Sequence, residues 1–121
     1  MTKRRLTPSE HQIQAAIVTG LRRAALPDVV VAAVPNGGSR KGGFIEGARM
    51  KREGVTAGVL DLLILGPGGK VRFMEVKTPK GRLSPAQKDF MQIMDRAGID
   101  YAVVRSVDEA MNKAKEWEIL R

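Results

Sequence analysis

Residues 61–77 constrain the fold more than any other stretch. Asp61 opens the apolar run Leu62-Leu63-Ile64-Leu65, Gly66-Pro67-Gly68-Gly69 reverses the chain, and Val71-Arg72-Phe73-Met74-Glu75-Val76-Lys77 returns. Two β-prone runs around a turn of glycines and proline predict a β-hairpin. Antiparallel pairing about Pro67 and Gly68 sets Asp61 opposite the neighbourhood of Glu75. Alternation along the return strand then puts Glu75 and Lys77 on one face, shared with Phe73. Two acids and an ammonium at one end of an apolar hairpin make a poor core but a good site for a divalent cation and a phosphate.

Each residue also has a plainer reading. The run after Asp61 suits a central strand covered on both faces, so the aspartate must lie at the margin of exposure or bear a steep desolvation cost. The plainer reading makes it a turn or cap residue after Gly58, the lesser of the two readings for this residue alone. Glutamate is disfavoured inside strands, and a half-buried one usually has a charge partner, a role open to Lys77. Glu10 lies on the apolar face of a first helix, where it either satisfies the helix dipole or joins the other acids as a ligand or orienter.

The remaining elements follow from periodicity and punctuation. Met1 to Pro8 is a basic tail, and residues 9–121 are one domain. Ser9 with Gln12 forms a capping box, and Ile13, Ala16, Ile17, Leu21 and Ala24 recur at helical spacing, predicting a helix from Ser9 to Ala25 ended by Pro27. Val29 to Val34 reads as a strand, Pro35 to Gly43 as a basic glycine-rich loop, and Phe44 to Arg52 as a short helix closed by Gly54. Ser84-Pro85-Ala86-Gln87 is a strong helix start, with Phe90, Ile93, Met94 and Ala97 as its expected buried stripe and Gly98 at its end. Tyr101 to Val104 is a strand, and Ser106 with Glu109 begins a last helix with Val107, Ala110, Met111, Ala114 and Trp117 on one face. A strand near Glu75, a helix from Ser84 and a strand at Tyr101 form a crossover unit with parallel strands. The expected class is α/β, a mixed central sheet flanked by helices.

Composition narrows the partners. Lys and Arg number 21 against 13 acids in 121 residues, a formal charge of +8, which favours a polyanion such as nucleic acid over a merely soluble basic surface. Aromatics make up 4%, too few for evident stacking platforms, so contacts to a duplex backbone fit better. With no cysteine and only His11, thiolate zinc sites are excluded and histidine-based ones improbable, leaving oxygen ligands for a hard ion. No membrane span or signal peptide is evident, and the expected location is cytoplasmic, in a bacterial host if the chain is phage-encoded.

Taken together, these stretches resemble the PD-(D/E)XK nuclease superfamily and, within it, the virus-type replication-repair nucleases, the VRR-NUC branch. The resemblance rests on Glu10 with Gln12, on Pro35-Asn36-Gly37-Gly38 with Arg40, and on Lys51 and Gly54 leading through Gly58 to Asp61-Leu62. It continues in Glu75-Val76-Lys77-Thr78, in Gly81-Arg82-Leu83-Ser84-Pro85 with Gln87, and in Gly98 and Tyr101. One departure is Leu60, where the superfamily name carries proline; that position is expected to shape a turn and supplies no ligand.

The resemblance implies a PD-(D/E)XK (restriction-endonuclease-like) core and a phosphodiesterase dependent on Mg2+ or Mn2+. It implies Asp61, Glu75 and the Val76 carbonyl as metal ligands, with Glu10 contributing directly or through water. Lys77 would orient or activate the attacking water, and Gln87 would position Lys77 or that water. Arg40, Lys41, Arg49, Lys51, Lys80 and Arg82 are candidate DNA-backbone contacts. Stand-alone members of this kind are expected to be homodimers preferring branched DNA such as Holliday junctions. The alternative is a non-catalytic nucleic-acid-binding protein that retains the nuclease fold.

Overall fold

The computed structural model describes residues 7–35, 48–49 and 51–121. In chain order its elements are α1 (Glu10–Ala24), β1 (Val30–Ala33), β2 (Leu62–Leu65), β3 (Val71–Val76), α2 (Pro85–Ala97), β4 (Asp100–Val104) and α3 (Val107–Glu116). Residues 48–49 and 51–52 add a helical turn that ends at Gly54, whose N–H donates to Lys51 O. The rest of the expected short helix, and the glycine loop beyond Pro35, lie outside the described residues.

The four strands lie in sequence order, β1-β2-β3-β4, with β1/β2 and β2/β3 antiparallel and β3/β4 parallel across α2. This is the expected α/β arrangement. In the hairpin Leu62 pairs with Met74 and Leu65 with Val71, so Asp61 stands across from Glu75 as the turn chemistry requires. Pairing outlasts β3 by one residue, because Lys77 N–H donates to Val104 O at 3.0 Å.

Strand alternation sorts the core into two layers. Leu62, Ile64, Met74, Val76, Ala102 and Val104 face α1 and α3, meeting Ile13, Ile17, Leu21, Ala110 and Ala114. Phe73, Tyr101 and Val103 face α2, with Leu60, Met91 and Met94 buried between. Leu60 is therefore a core residue rather than a turn former, and hydrophobic volume is what that position requires. The buried stripe of α2 also differs from expectation: Met91 and Met94 are buried and Phe90 half-buried, whereas Ile93 is 53% exposed and Ala97 is exposed. Here α2 presents the flank carrying Met91 to β3 and β4, with Phe90 set edge-on to Phe73 at 6.0 Å. Among the described residues α2 packs on β4 and no helix lies over the corresponding face of β1 and β2, where Val30 and Leu65 are 52% and 39% exposed.

Candidate metal centre

Three separate pieces of local structure deliver acids to one end of the sheet. Glu10 is the first residue of α1, placed there by a reciprocal capping box in which Ser9 N–H donates to Gln12 Oε1 (2.8 Å) and Gln12 N–H to Ser9 Oγ (3.1 Å). Ile13 and Ile17, one and two turns on, anchor that helix in the core. Asp61 immediately precedes β2 and is held from both sides: Val34 N–H donates to its backbone oxygen and Val76 N–H to its Oδ2, each at 2.8 Å. Glu75 sits within β3, fully buried. Carboxylate oxygens from Glu10, Asp61 and Glu75 lie within 4.8 Å of one another.

The two oxygens of Glu75 have different surroundings. Oε2 accepts from Gln87 Nε2 at 2.7 Å and lies 3.3 Å from Lys77 Nζ. Oε1 is buried and, among the described residues, has no hydrogen-bond partner. A buried carboxylate oxygen without a donor is costly, and beside two further acids it is the natural place for a cation. Burial first, and the Asp61 charge second, push Glu75 up to about 7 against the pull of Lys77. A divalent ion among these oxygens would reverse both effects. The donor set is all oxygen, so the residues present fit a hard divalent ion.

Gln87 reaches Glu75 because α2 begins with a second capping box, and its contact is with the carboxylate rather than with Lys77. The start of α2 is pressed against the segment leading to Asp61. Gly58 has φ +88°, and a Cβ there would stand 2.2 Å from Ala86 O, so only glycine allows this approach.

Arg105 was not identifiable from sequence. Its Nη1 donates to Thr78 O (2.7 Å), Pro79 O (3.3 Å) and Gly81 O (2.7 Å), fixing the turn that follows Lys77. A lone arginine between a strand and an N-cap serine reads as solvated, and no spacing reveals carbonyls more than twenty residues away. That turn presents Lys80 and Arg82, both exposed; Arg49 and Lys51 are exposed on the helical turn before Gly54. Arg40 and Lys41 lie outside the described residues. Among the described residues no helix is long and apolar enough to cross a membrane.

Comparison with known proteins agrees with this geometry. The family model for the VRR-NUC domain matches residues 9–108. A solved structure titled "VRR_NUC domain protein" superposes with a TM-score of 0.73 at 21% identity, covering 93% of this chain and 89% of its own. Another, titled "VRR_NUC domain", gives 0.61 at 19% identity, covering 90% of this chain and 97% of its own. At these identities the superpositions speak for the fold. No curated protein matches.

Proposed function

The chain belongs to the VRR-NUC family, a nuclease-type domain, and from that premise we propose that it is a divalent-metal-dependent, structure-selective DNA nuclease. The observation that carries this reading is the convergence of Glu10, Asp61 and Glu75 within 4.8 Å, with Glu75 Oε1 left without a donor. Asp61 and Glu75 would hold Mg2+ or Mn2+, helped by the Val76 carbonyl and by Glu10 directly or through water. When bound, the ion would lower the pKa of a coordinated water and polarise phosphoryl oxygens.

The chain's own residues supply the rest. Lys77 places positive charge where negative charge develops on the phosphate, and its contact with Glu75 keeps it at the acids. Gln87 holds Glu75 in orientation. Lys80 and Arg82 on the Arg105-fixed turn, with Arg49 and Lys51, give the backbone of a duplex a basic surface; Arg40 and Lys41, outside the described residues, are further candidate contacts by sequence. Among the described residues no recognition helix is set out to enter a groove, which supports selectivity by DNA shape. The described residues bring together one such cluster, and one cluster cuts one strand per encounter. A homodimer with twofold symmetry is the simplest device for paired nicks in a four-way junction.

The test is cleavage of linear, flapped, forked and four-way DNA with Mg2+, Mn2+, Ca2+ or a chelator. Mg2+ or Mn2+ should support cutting, and Ca2+ should support binding alone. Undiminished activity in chelator overturns the metal reading; DNA binding with no cleavage under any ion establishes a binding module. A monomer by light scattering, cutting linear duplex as readily as a junction, removes the dimer and the junction preference while leaving the nuclease intact.

A further inference from the structure

A primary amide has one acceptor and two donor hydrogens, and swapping its ends reverses what it offers each neighbour. In Gln87 both ends are committed. Oε1 accepts Ser84 N–H at 2.9 Å, while Nε2 donates to Glu75 Oε2 at 2.7 Å. A flipped amide would set oxygen against carboxylate and N–H against N–H, so the two contacts enforce one orientation. Ser84 Oγ separately accepts Gln87 N–H at 3.1 Å, which caps the helix but touches no part of the amide.

Helix initiation alone does not require this amide. Glutamate serves equally at the third position of a capping box, and its charge suits a helix N-terminus better. Ser9 and Gln12 make the same reciprocal bonds at α1, yet Gln12 is exposed and its Nε2 has no second partner among the described residues. At α2 the amide has a second task. With Gln87 and Lys77 both on Oε2, the buried carboxylate is turned so that Oε1 is the oxygen without a donor.

We propose that Ser84 is a positioning residue of the metal centre, acting through its backbone N–H: by holding Gln87 Oε1 it aims Nε2 at Glu75 and leaves Glu75 Oε1 as the ion-facing oxygen. The role rests on the metal reading of the site. Carboxylates that hold a metal are themselves oriented by outer hydrogen bonds, and loss of such a bond typically weakens metal binding about 10–100-fold.

Two substitutions at one position separate this role from capping. Ser84→Ala removes Oγ and keeps the N–H. Ser84→Pro removes both, and the backbone at Ser84 (φ −75°, ψ 159°) already suits proline. Manganese affinity of the DNA-free protein, measured by calorimetry and paramagnetic resonance, is the readout, with melting temperature alongside. Ser84→Ala should melt lower yet bind Mn2+ within about threefold of wild type; Ser84→Pro should bind at least about tenfold more weakly. If Ser84→Pro does not fold, Gln87→Met against Gln12→Met decides: the first should lose at least about tenfold and the second nothing. Equal affinities within either pair overturn the assignment. A wild-type protein that binds no Mn2+ overturns instead the metal reading on which it rests.

Discussion

Two helices of this protein begin with the same four-residue device, and in only one of the two does the glutamine amide also meet a buried carboxylate. At α1 the Ser9–Gln12 box starts a helix in solvent, and its contribution to the site is to put Glu10 on the first turn. At α2 the Ser84–Gln87 box starts a helix against the sheet, where the spare half of the glutamine amide lands on a buried carboxylate. Local bonding is identical to within about 0.1 Å of donor–acceptor length. What differs is the neighbour: Gly58 admits the backbone of α2 so closely that the amide reaches β3. A motif's local energetics therefore do not fix its role; its docking does.

The comparison can be broken from the site outward. Asp61→Ala and Glu75→Ala should abolish turnover while the protein stays folded, measured by single-turnover cleavage beside circular dichroism; melting with cleavage per folded molecule retained would reduce the acids to structural ion pairs. Lys77→Ala should slow cleavage on the order of 10²-fold with DNA affinity nearly unchanged, whereas Lys51→Ala should weaken binding and flatten its salt dependence. Equal losses of affinity alone in both variants would mark a binding surface instead.

Stability tests sharpen the same contrast. Gly58→Ala should cost roughly 3 kcal/mol in urea denaturation, because the clash is with backbone that cannot yield while α2 stays docked. The metal-free protein should also lose stability as pH rises from about 4.5 to about 7. Glu75 has its pKa raised in the folded state, so the folded chain holds more protons than the unfolded one across that window. The loss is on the order of 3 kcal/mol; Glu75→Gln should remove the slope and Gln12→Met should leave it. Added Mn2+ should restore stability above pH 7 in the unsubstituted protein. Smallest of all, Ser9→Ala should cost about 1 kcal/mol, as for any exposed N-cap.

The parts of the fold legible in the sequence are those governed by short-range geometry. The box at Ser84, the Gly98 cap in left-handed conformation (φ 72°) and the placing of Asp61 across from the neighbourhood of Glu75 by the five-residue connection 66–70 all depend on residues near one another in the chain. The stripe of α2 was legible only approximately. Periodicity admits several neighbouring faces, and the packing of α2 on β3 and β4 selected Met91 over Ile93.

Sequence alone thus determined the order of helices and strands among the described residues, the hairpin with its register to about one residue, and the candidacy of Glu10, Asp61, Glu75 and Lys77. Those are set by turn chemistry, capping and the periods of strand and helix. Tertiary structure decided that Gln87 Nε2 donates to Glu75 rather than meeting Lys77, that Arg105 fixes the turn after Lys77, and that one oxygen of Glu75 is left without a donor among the described residues. These depend on which surfaces meet when α2 and β4 dock. A buried polar atom's partner is chosen by the whole packed arrangement, which no local pattern in the chain encodes.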